Sequence, residues 1–237
     1  LFYSDVVDTW NQESQTNNNL YDDKSYYYIT VQGSDGKRIQ NMSQPSGNST
    51  LTLSTFDDHQ FHELDIVNIG KLGRQWYGEV FDINPEQEFT FNFRNIVTST
   101  PIKLRINTAS VAYTPTSFKV FANGQDVGTM SFPALVQYSG IQFYESALPS
   151  NTSFPSSETV KIKLSYNNNS VPVSKGYLDK IMLTAKRNLQ GYGKQFQFQY
   201  DLSSSSLGIV TYSVSNANGI SQIWDVTDIY NVTKVEN

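Results

Sequence analysis

The chain has 237 residues, no cysteine, a formal net charge of −5, and only 16% charged residues. That length supports one large β-domain or a domain with a smaller appendage, with a sizeable buried core. The missing thiol excludes a disulfide framework, a thiolate metal site and a cysteine nucleophile within this segment. The acidic balance leaves no global basic field to draw in nucleic acid.

With 15 Tyr and 14 Phe beside abundant Asn, Ser and Thr, the composition favours strands and turns over helices. No apolar run approaches the ~20 residues that span a bilayer, so no transmembrane segment is expected. The chain starts at Leu1 and shows no basic-then-apolar leader. We read it as a piece of a longer protein.

The periodicity is that of strands almost throughout. Ser25 to Gln32 (SYYYITVQ) reads as a strand that ends in the turn Gly33-Ser34-Asp35-Gly36. Residues 40–50 are polar and turn-rich and read as a loop. Phe61 to Ile66, Phe89 to Phe93 and Ile102 to Val111 alternate apolar and polar residues as half-buried strands do. Phe118 to Phe121 leads into Asn123-Gly124, a strong hairpin signal, and on to Val127–Phe132. Val160 to Tyr166 alternates again, and Leu178 to Ala185 fits either a strand or a helix, with strand favoured by its neighbours. Phe196, Phe198 and Tyr200 continue the period of two, Ser203 to Ser206 reads as a hairpin loop, and Leu207 to Val214 is a strand. Asn216 to Gly219 is a turn, and Ile220 to Val226 closes the set. Many short strands with turn signals every 8–12 residues predict an all-β, jelly-roll or galactose-binding-like β-sandwich with additional terminal strands. The expected division is 1–60 as N-terminal strands and loops completing a sheet with upstream residues, 61–190 as the sandwich, and 191–237 as a β extension. A soft boundary falls near 188–193.

The chemistry-bearing residues are sparse. His59 and His62 are the only histidines, and an i, i+3 pair on a strand points to opposite faces. They read as a polar edge, with His59, His62 and Asp65 the only metal-ligating candidates if a bulge turns one ring; no metal or other cofactor is called for. Glu63, Asp65, Glu79 and Glu145 are nominable as paired carboxylates, but nothing in the sequence sets any two at a working distance. No Gly-x-Ser-x-Gly elbow accompanies the many serines. Trp10, Trp76, Tyr77, Tyr113 and Tyr138 are candidate sugar-stacking platforms, Trp10, Tyr113 and Tyr138 being kept as the ligand-binding candidates; alternating aromatics are otherwise core. Asn-x-Ser/Thr triplets begin at Asn41, Asn48, Asn151, Asn168 and Asn231, as chance readily produces in so Asn- and Ser-rich a chain. The densest local feature is Gly73-Arg74-Gln75-Trp76-Tyr77-Gly78-Glu79. Its structural reading has Trp76 plugging the end of the sandwich while Arg74 and Glu79 tie a turn; its functional reading has Arg74 holding a carboxylate or ligand.

Several segments resemble the non-catalytic region ahead of the peptidase domain in the type IX secretion system sortase (PorU) family, whose catalytic part is gingipain-like. They are Leu20 to Thr30 (LYDDKSYYYIT), Gly73 to Phe81 (GRQWYGEVF), Tyr177-Leu178-Asp179-Lys180-Ile181 with Arg187, Leu189 and Tyr192-Gly193, and Ile223 to Asp228 (IWDVTD). The motif residues are Gly73, Arg74, Trp76, Tyr77, Gly78 and Glu79 in the second segment and Trp224, Asp225, Thr227 and Asp228 in the last. The resemblance implies a Bacteroidetes-type protein at the outer membrane surface, where the sortase removes the C-terminal signal of secreted cargo and helps attach it to anionic lipopolysaccharide. The family's catalytic Cys and His lie in a later domain, so no catalytic role passes to any residue here, and this segment is expected to be no enzyme by itself. The implied partners are the downstream peptidase domain and, at the surface, secreted cargo or surface glycan and lipopolysaccharide, with no nucleic acid. The competing reading is a carbohydrate-binding module or surface adhesin domain. Trp76 and Trp224 are expected to be mostly buried, and Trp224→Ala to cost about 3–5 kcal/mol as a core truncation.

Overall fold

The computed structural model describes residues 33, 35–71, 73, 75–201, 208–228 and 230–235. In chain order the strands are β1 (Gln40–Asn41), β2 (Ser49–Leu53), β3 (Thr55–Glu63), β4 (Val80–Phe81), β5 (Glu86–Asn92), β6 (Ile102–Val111), β7 (Thr116–Ala122) and β8 (Gln125–Phe132). They continue as β9 (Tyr144–Ala147), β10 (Ser153–Phe154), β11 (Thr159–Asn167), β12 (Lys175–Asn188), β13 (Ile209–Tyr212), β14 (Ile223–Asp225) and β15 (Thr233–Val235). Among the described residues there is no α-helix, and the chain is an all-β sandwich protein. It divides into two compact units: Asp58–Arg187, and the described residues up to Asp57 together with those from Asn188 onward.

The first unit is the sandwich. One sheet is ordered β5-β11-β7-β8; the other is β10-β6-β12-β3, with β4 added on β12 and β9 on β6. The alternation in β11 shows why these residues form a strand: Val160, Ile162, Leu164 and Tyr166 are buried, while Lys161 and Lys163 face out. β6 answers from the other sheet with Ile102, Leu104 and Ile106. Phe118 stands at the centre of the core, edge-on to Phe81 (4.9 Å between centroids) and packed on Tyr166 (4.8 Å). Gly176 has no room for a side chain, since a Cβ there would lie 2.5 Å from the Phe118 ring. The β7–β8 hairpin turns at Asn123 (φ 48°) and Gly124 (φ 82°), the left-handed pair that a tight two-residue turn demands. A satisfied polar group is built into the core, where Ser110 Oγ lies 2.8 Å from both Thr116 Oγ1 and Tyr166 Oη.

In the second unit β14 pairs antiparallel with β15, β1 pairs parallel with β15, and β13 pairs parallel with β2. Leu53 and Phe56 are buried, and Phe198 lies edge-on to both Phe56 (6.4 Å) and Tyr212 (5.2 Å). Gly191 passes so close to the Asn216 carbonyl that a Cβ would sit 2.5 Å from its oxygen.

Several sequence expectations are corrected. Residues 40–50 are not wholly loop: β1 and the start of β2 lie there, because their partners β15 and β13, remote in sequence, supply the ladder. The strand expected at Phe61–Ile66 is the end of β3, which stops at Glu63. Phe196, Phe198 and Tyr200 form no strand; a single bridge joins Gln199 to Asp57, and the Phe196 and Phe198 rings pack on each other. Trp76 and Trp224 are 39% and 40% exposed and are not core residues. The elements read at Ser25–Gln32 and Ser203–Ser206 lie outside the described residues.

Candidate functional site

On the face of the β10-β6-β12-β3 sheet that turns away from the sandwich core, Val67, Ile69 and Tyr77 pack with Ala109, Val111, Tyr177 and Phe143. Tyr77 is the plug: it is 1% exposed and forms a bridge with Val67, and its ring packs on Phe143 (5.8 Å) and Tyr177 (6.1 Å). The neighbouring Trp76 therefore faces outward, as alternation along an extended chain requires, and the plug expected at Trp76 belongs to Tyr77. Gly78 allows the approach, since a Cβ would meet that of Leu64 at 2.9 Å. Its amide donates to Leu178 O (2.8 Å), and the Leu178 amide returns a bond to Glu79 O (3.0 Å). Two of the segments that carry the family resemblance, 73–81 and 177–181, are thus hydrogen-bonded to each other.

The Tyr77 hydroxyl donates to Glu145 Oε1 at 2.5 Å, and Gln75 Nε2 donates to the same oxygen at 2.7 Å. Burial, reinforced by that carboxylate, pushes the Tyr77 phenol above its ordinary range. A register shift between Leu178 and Lys180 in β12 makes Asp179 an extra residue in the ladder. Burial pushes its carboxyl up to about 6; Lys180 opposes the rise, and Glu63, Glu145 and Asp65 add to it. Glu63, Asp65 and Glu145, nominated separately from the sequence, therefore converge electrostatically on Asp179. Asp179 is not among the carboxylates nominated from the sequence; its signal there is an acid set between Leu178 and Lys180 at the start of the mostly apolar stretch Leu178–Leu183.

Glu79 is engaged elsewhere, 2.6 Å from His62 Nε2, while His62 also packs on Phe89 (4.7 Å). Glu79 thus ties β3; Arg74, expected to tie a turn with it, lies outside the described residues, as does Trp10. His59 Nδ1 meets Thr184 Oγ1 at 3.0 Å, so the two imidazoles take different partners. Among the described residues no group of His, Asp and Glu is arranged to hold a metal ion. Chemically, the cluster can hold or release a proton at Asp179 near neutral pH beside the fixed Glu145 carboxylate.

The remaining motif residues are turn-formers and surface aromatics. Asp225 Oδ1 accepts from the Thr227 amide (3.0 Å), Asp228 Oδ1 accepts from that of Tyr230 (2.9 Å), and Trp224 Nε1 donates to Gln222 Oε1 (3.0 Å). Gly73 adopts φ 76°, a left-handed bend. Tyr113 and Tyr138 are both exposed, on loops outside the strands. The outer face of the β5-β11-β7-β8 sheet carries a groove of about 260 Å³ lined by Glu88, Phe121, Gly124, Lys161 and Lys163. Its lysines are paired within the face, Lys161 with Glu88 (2.9 Å) and Lys163 with Glu86 (2.8 Å).

No protein-family model and no curated protein matches the sequence. Among solved structures, dimeric latent PorU from Porphyromonas gingivalis superposes with a TM-score of 0.71 at 16% identity, over 84% of this chain and 19% of that one. A carbohydrate-binding module, CBM36 in complex with calcium and xylotriose, reaches a TM-score of 0.33 at 14% identity over 55% of this chain and 99% of that one. The insecticidal δ-endotoxin Cry8Ea1 of Bacillus thuringiensis reaches 0.33 at 20% identity over 46% of this chain and 20% of that one. Scores of 0.33 fall short of a shared overall fold. The chain spans about a fifth of the PorU chain, and the fold it adopts is PorU-like.

Proposed function

We propose that this chain is a non-catalytic accessory region of a type IX sortase-like cysteine peptidase, acting at the outer membrane surface to scaffold the catalytic domain or to contact secreted cargo. The observation that carries the reading is the correspondence with PorU over 84% of the chain. The mutual pairing of segments 73–81 and 177–181 supports it: the resembling residues Tyr77, Gly78, Glu79 and Leu178 build one packed face. The sequence holds no cysteine, so on this reading any thiol nucleophile lies outside this segment. No helix of the described residues is long and apolar enough to cross a membrane.

The test has three arms. The coding sequence beyond Asn237 is expected to encode a domain with a His and a Cys nucleophile; a glycosidase domain there overturns the reading. Deleting the segment for residues 58–187 from the parent gene is expected to leave cargo with its C-terminal signal attached, read by immunoblot, and normal processing would count against the role. Strong, selective binding on a glycan array would replace it with the carbohydrate-binding module or adhesin.

A further inference from the structure

The dipeptide Asn-Gly occurs twice in the chain, at Asn123-Gly124 and at Asn218-Gly219. Glycine presents the least hindered amide nitrogen that can follow an asparagine, because no Cβ shields it. That nitrogen reaches the preceding carboxamide only where the fold leaves the carboxamide free to swing onto it. The two pairs differ in this respect.

Asn123 is held from three sides. Its Oδ1 accepts from the Lys161 amide at 2.8 Å, its Nδ2 donates to Thr159 O at 3.5 Å, and its own amide donates to Lys161 O at 2.8 Å. With Gly124 it also forms the left-handed pair that closes the β7–β8 hairpin. Turning this carboxamide onto Gly124 would break its bonds to β11 and distort the hairpin.

Asn218 is held by much less. It is the middle residue of the single 3-10 turn Ala217–Gly219 between β13 and β14, a turn whose three residues are all exposed. None of the side-chain hydrogen bonds and ion pairs among the described residues engages its carboxamide. The turn is closed by the bond from the Ile220 amide to Ala217 O at 2.9 Å. A Cβ built on Gly219 would meet nothing within 4 Å, so the space around its amide is open. One exposed 3-10 turn with no buried contact opens at little cost in free energy.

The residues before the turn are docked. Asn216 Nδ2 donates to Gly191 O (2.9 Å), the Gly191 amide donates to Ser215 O (2.9 Å), and the Ser215 amide donates to Leu189 O (3.0 Å). A change in the main chain at position 218 therefore acts on a segment that has little room to shift.

We propose that Asn218 is a site of spontaneous deamidation and that the fold protects Asn123 from the same reaction. The Gly219 nitrogen forms a bond to Asn218 Cγ, the Cγ–Nδ2 bond breaks, and the carboxamide nitrogen leaves as ammonia with the proton of the Gly219 amide. Water then opens the resulting succinimide at either carbonyl and leaves an aspartyl or an isoaspartyl linkage. Either product adds a negative charge to the turn. The isoaspartyl product also adds a methylene to the main chain, which strains the bonds to Leu189 and Gly191. The inference stands on these two turns and does not depend on the accessory-region reading.

The test is incubation of the purified chain in mildly alkaline buffer, followed by peptide mapping in a mass spectrometer for a gain of about 1 Da. Conversion at Asn218 is expected to run about tenfold or more faster than at Asn123 in the folded chain. In concentrated urea the two rates are expected to converge, because both dipeptides then lack their structural surroundings. Gly219→Ala is expected to slow conversion at Asn218 by about tenfold, since its Cβ shields the attacking nitrogen. The open space at that position should leave the circular-dichroism melt unchanged. If Gly219→Ala unfolds, Asn218→Gln is used instead and is expected to abolish the acidic species that accumulates in ion-exchange chromatography. Equal conversion at the two sites in the folded chain, faster conversion at Asn123, or a difference that persists in urea overturns the proposal.

Discussion

The Tyr77 phenol donates to the Glu145 carboxylate at 2.5 Å, across 68 residues of sequence. This bond joins the segment packed on the outer sheet face to β9, at the rim of the same sheet. Tyr77→Phe keeps the ring packing and removes the bond; since Glu145 is exposed and retains Gln75, the loss is expected to be about 1 kcal/mol in urea denaturation. Tyr77→Ala removes the plug itself and is expected to cost about 3–5 kcal/mol. Equal effects of the two substitutions would place the weight on the hydroxyl rather than on the ring.

Asp179 links stability to pH. Its folded-state carboxyl titrates at about 6, above the ordinary value of 3.8, with burial the main cause. The folded state therefore holds the proton more tightly than the unfolded state. This group's contribution is fully present below about pH 4 and is lost as pH rises through about 6, amounting to about 2–3 kcal/mol. Asp179→Asn mimics the neutral form, so it is expected to match the parent at pH 4 and to exceed it in stability at pH 8. Denaturation midpoints at the two pH values check this, and a difference that is the same at both would refute it.

Arg187 is a buried cation with a fixed set of acceptors: Nη1 lies 2.9 Å from Asp58 Oδ2, and Nε donates to Arg94 O at 2.6 Å. Arg187→Met strands the half-buried Asp58 carboxylate and is expected to cost about 3–5 kcal/mol. Adding Asp58→Asn should recover much of that loss, because the orphaned charge is then removed. Arg187→Lys should not restore wild-type stability, since one ammonium cannot reproduce the fork. A double-mutant cycle by chemical denaturation separates these outcomes.

Trp224, expected in the core, is 40% exposed, with its indole donating to Gln222. Trp224→Ala is therefore expected to cost about 1–2 kcal/mol, below the about 3–5 kcal/mol of Phe118→Ala at the centre of the sandwich. Thermal melts of the two variants, compared under one condition, should reproduce that order.

The sequence by itself determined the strand content, and the reasons are local. Strict alternation at Val160–Tyr166 and the Asn123-Gly124 pair specify a strand and its hairpin through short-range sterics and period-two burial, and the zero cysteine count excludes a thiol nucleophile from this segment. Only the tertiary structure decided which of two adjacent aromatics becomes the plug. Trp76 and Tyr77 are equally apolar to a pattern, and the bridge between Tyr77 and Val67 turns one ring inward and the other out. Residues 40–41 and 49–53 became strands against their polar composition because distant partners, β15 and β13, complete their ladders, while Phe196–Tyr200 alternates without a partner ladder to match. The convergence of Glu63, Asp65 and Glu145 on Asp179 was equally hidden. It arises from a one-residue bulge in β12 and from burial, and both depend on what packs against the strand rather than on the strand's own residues.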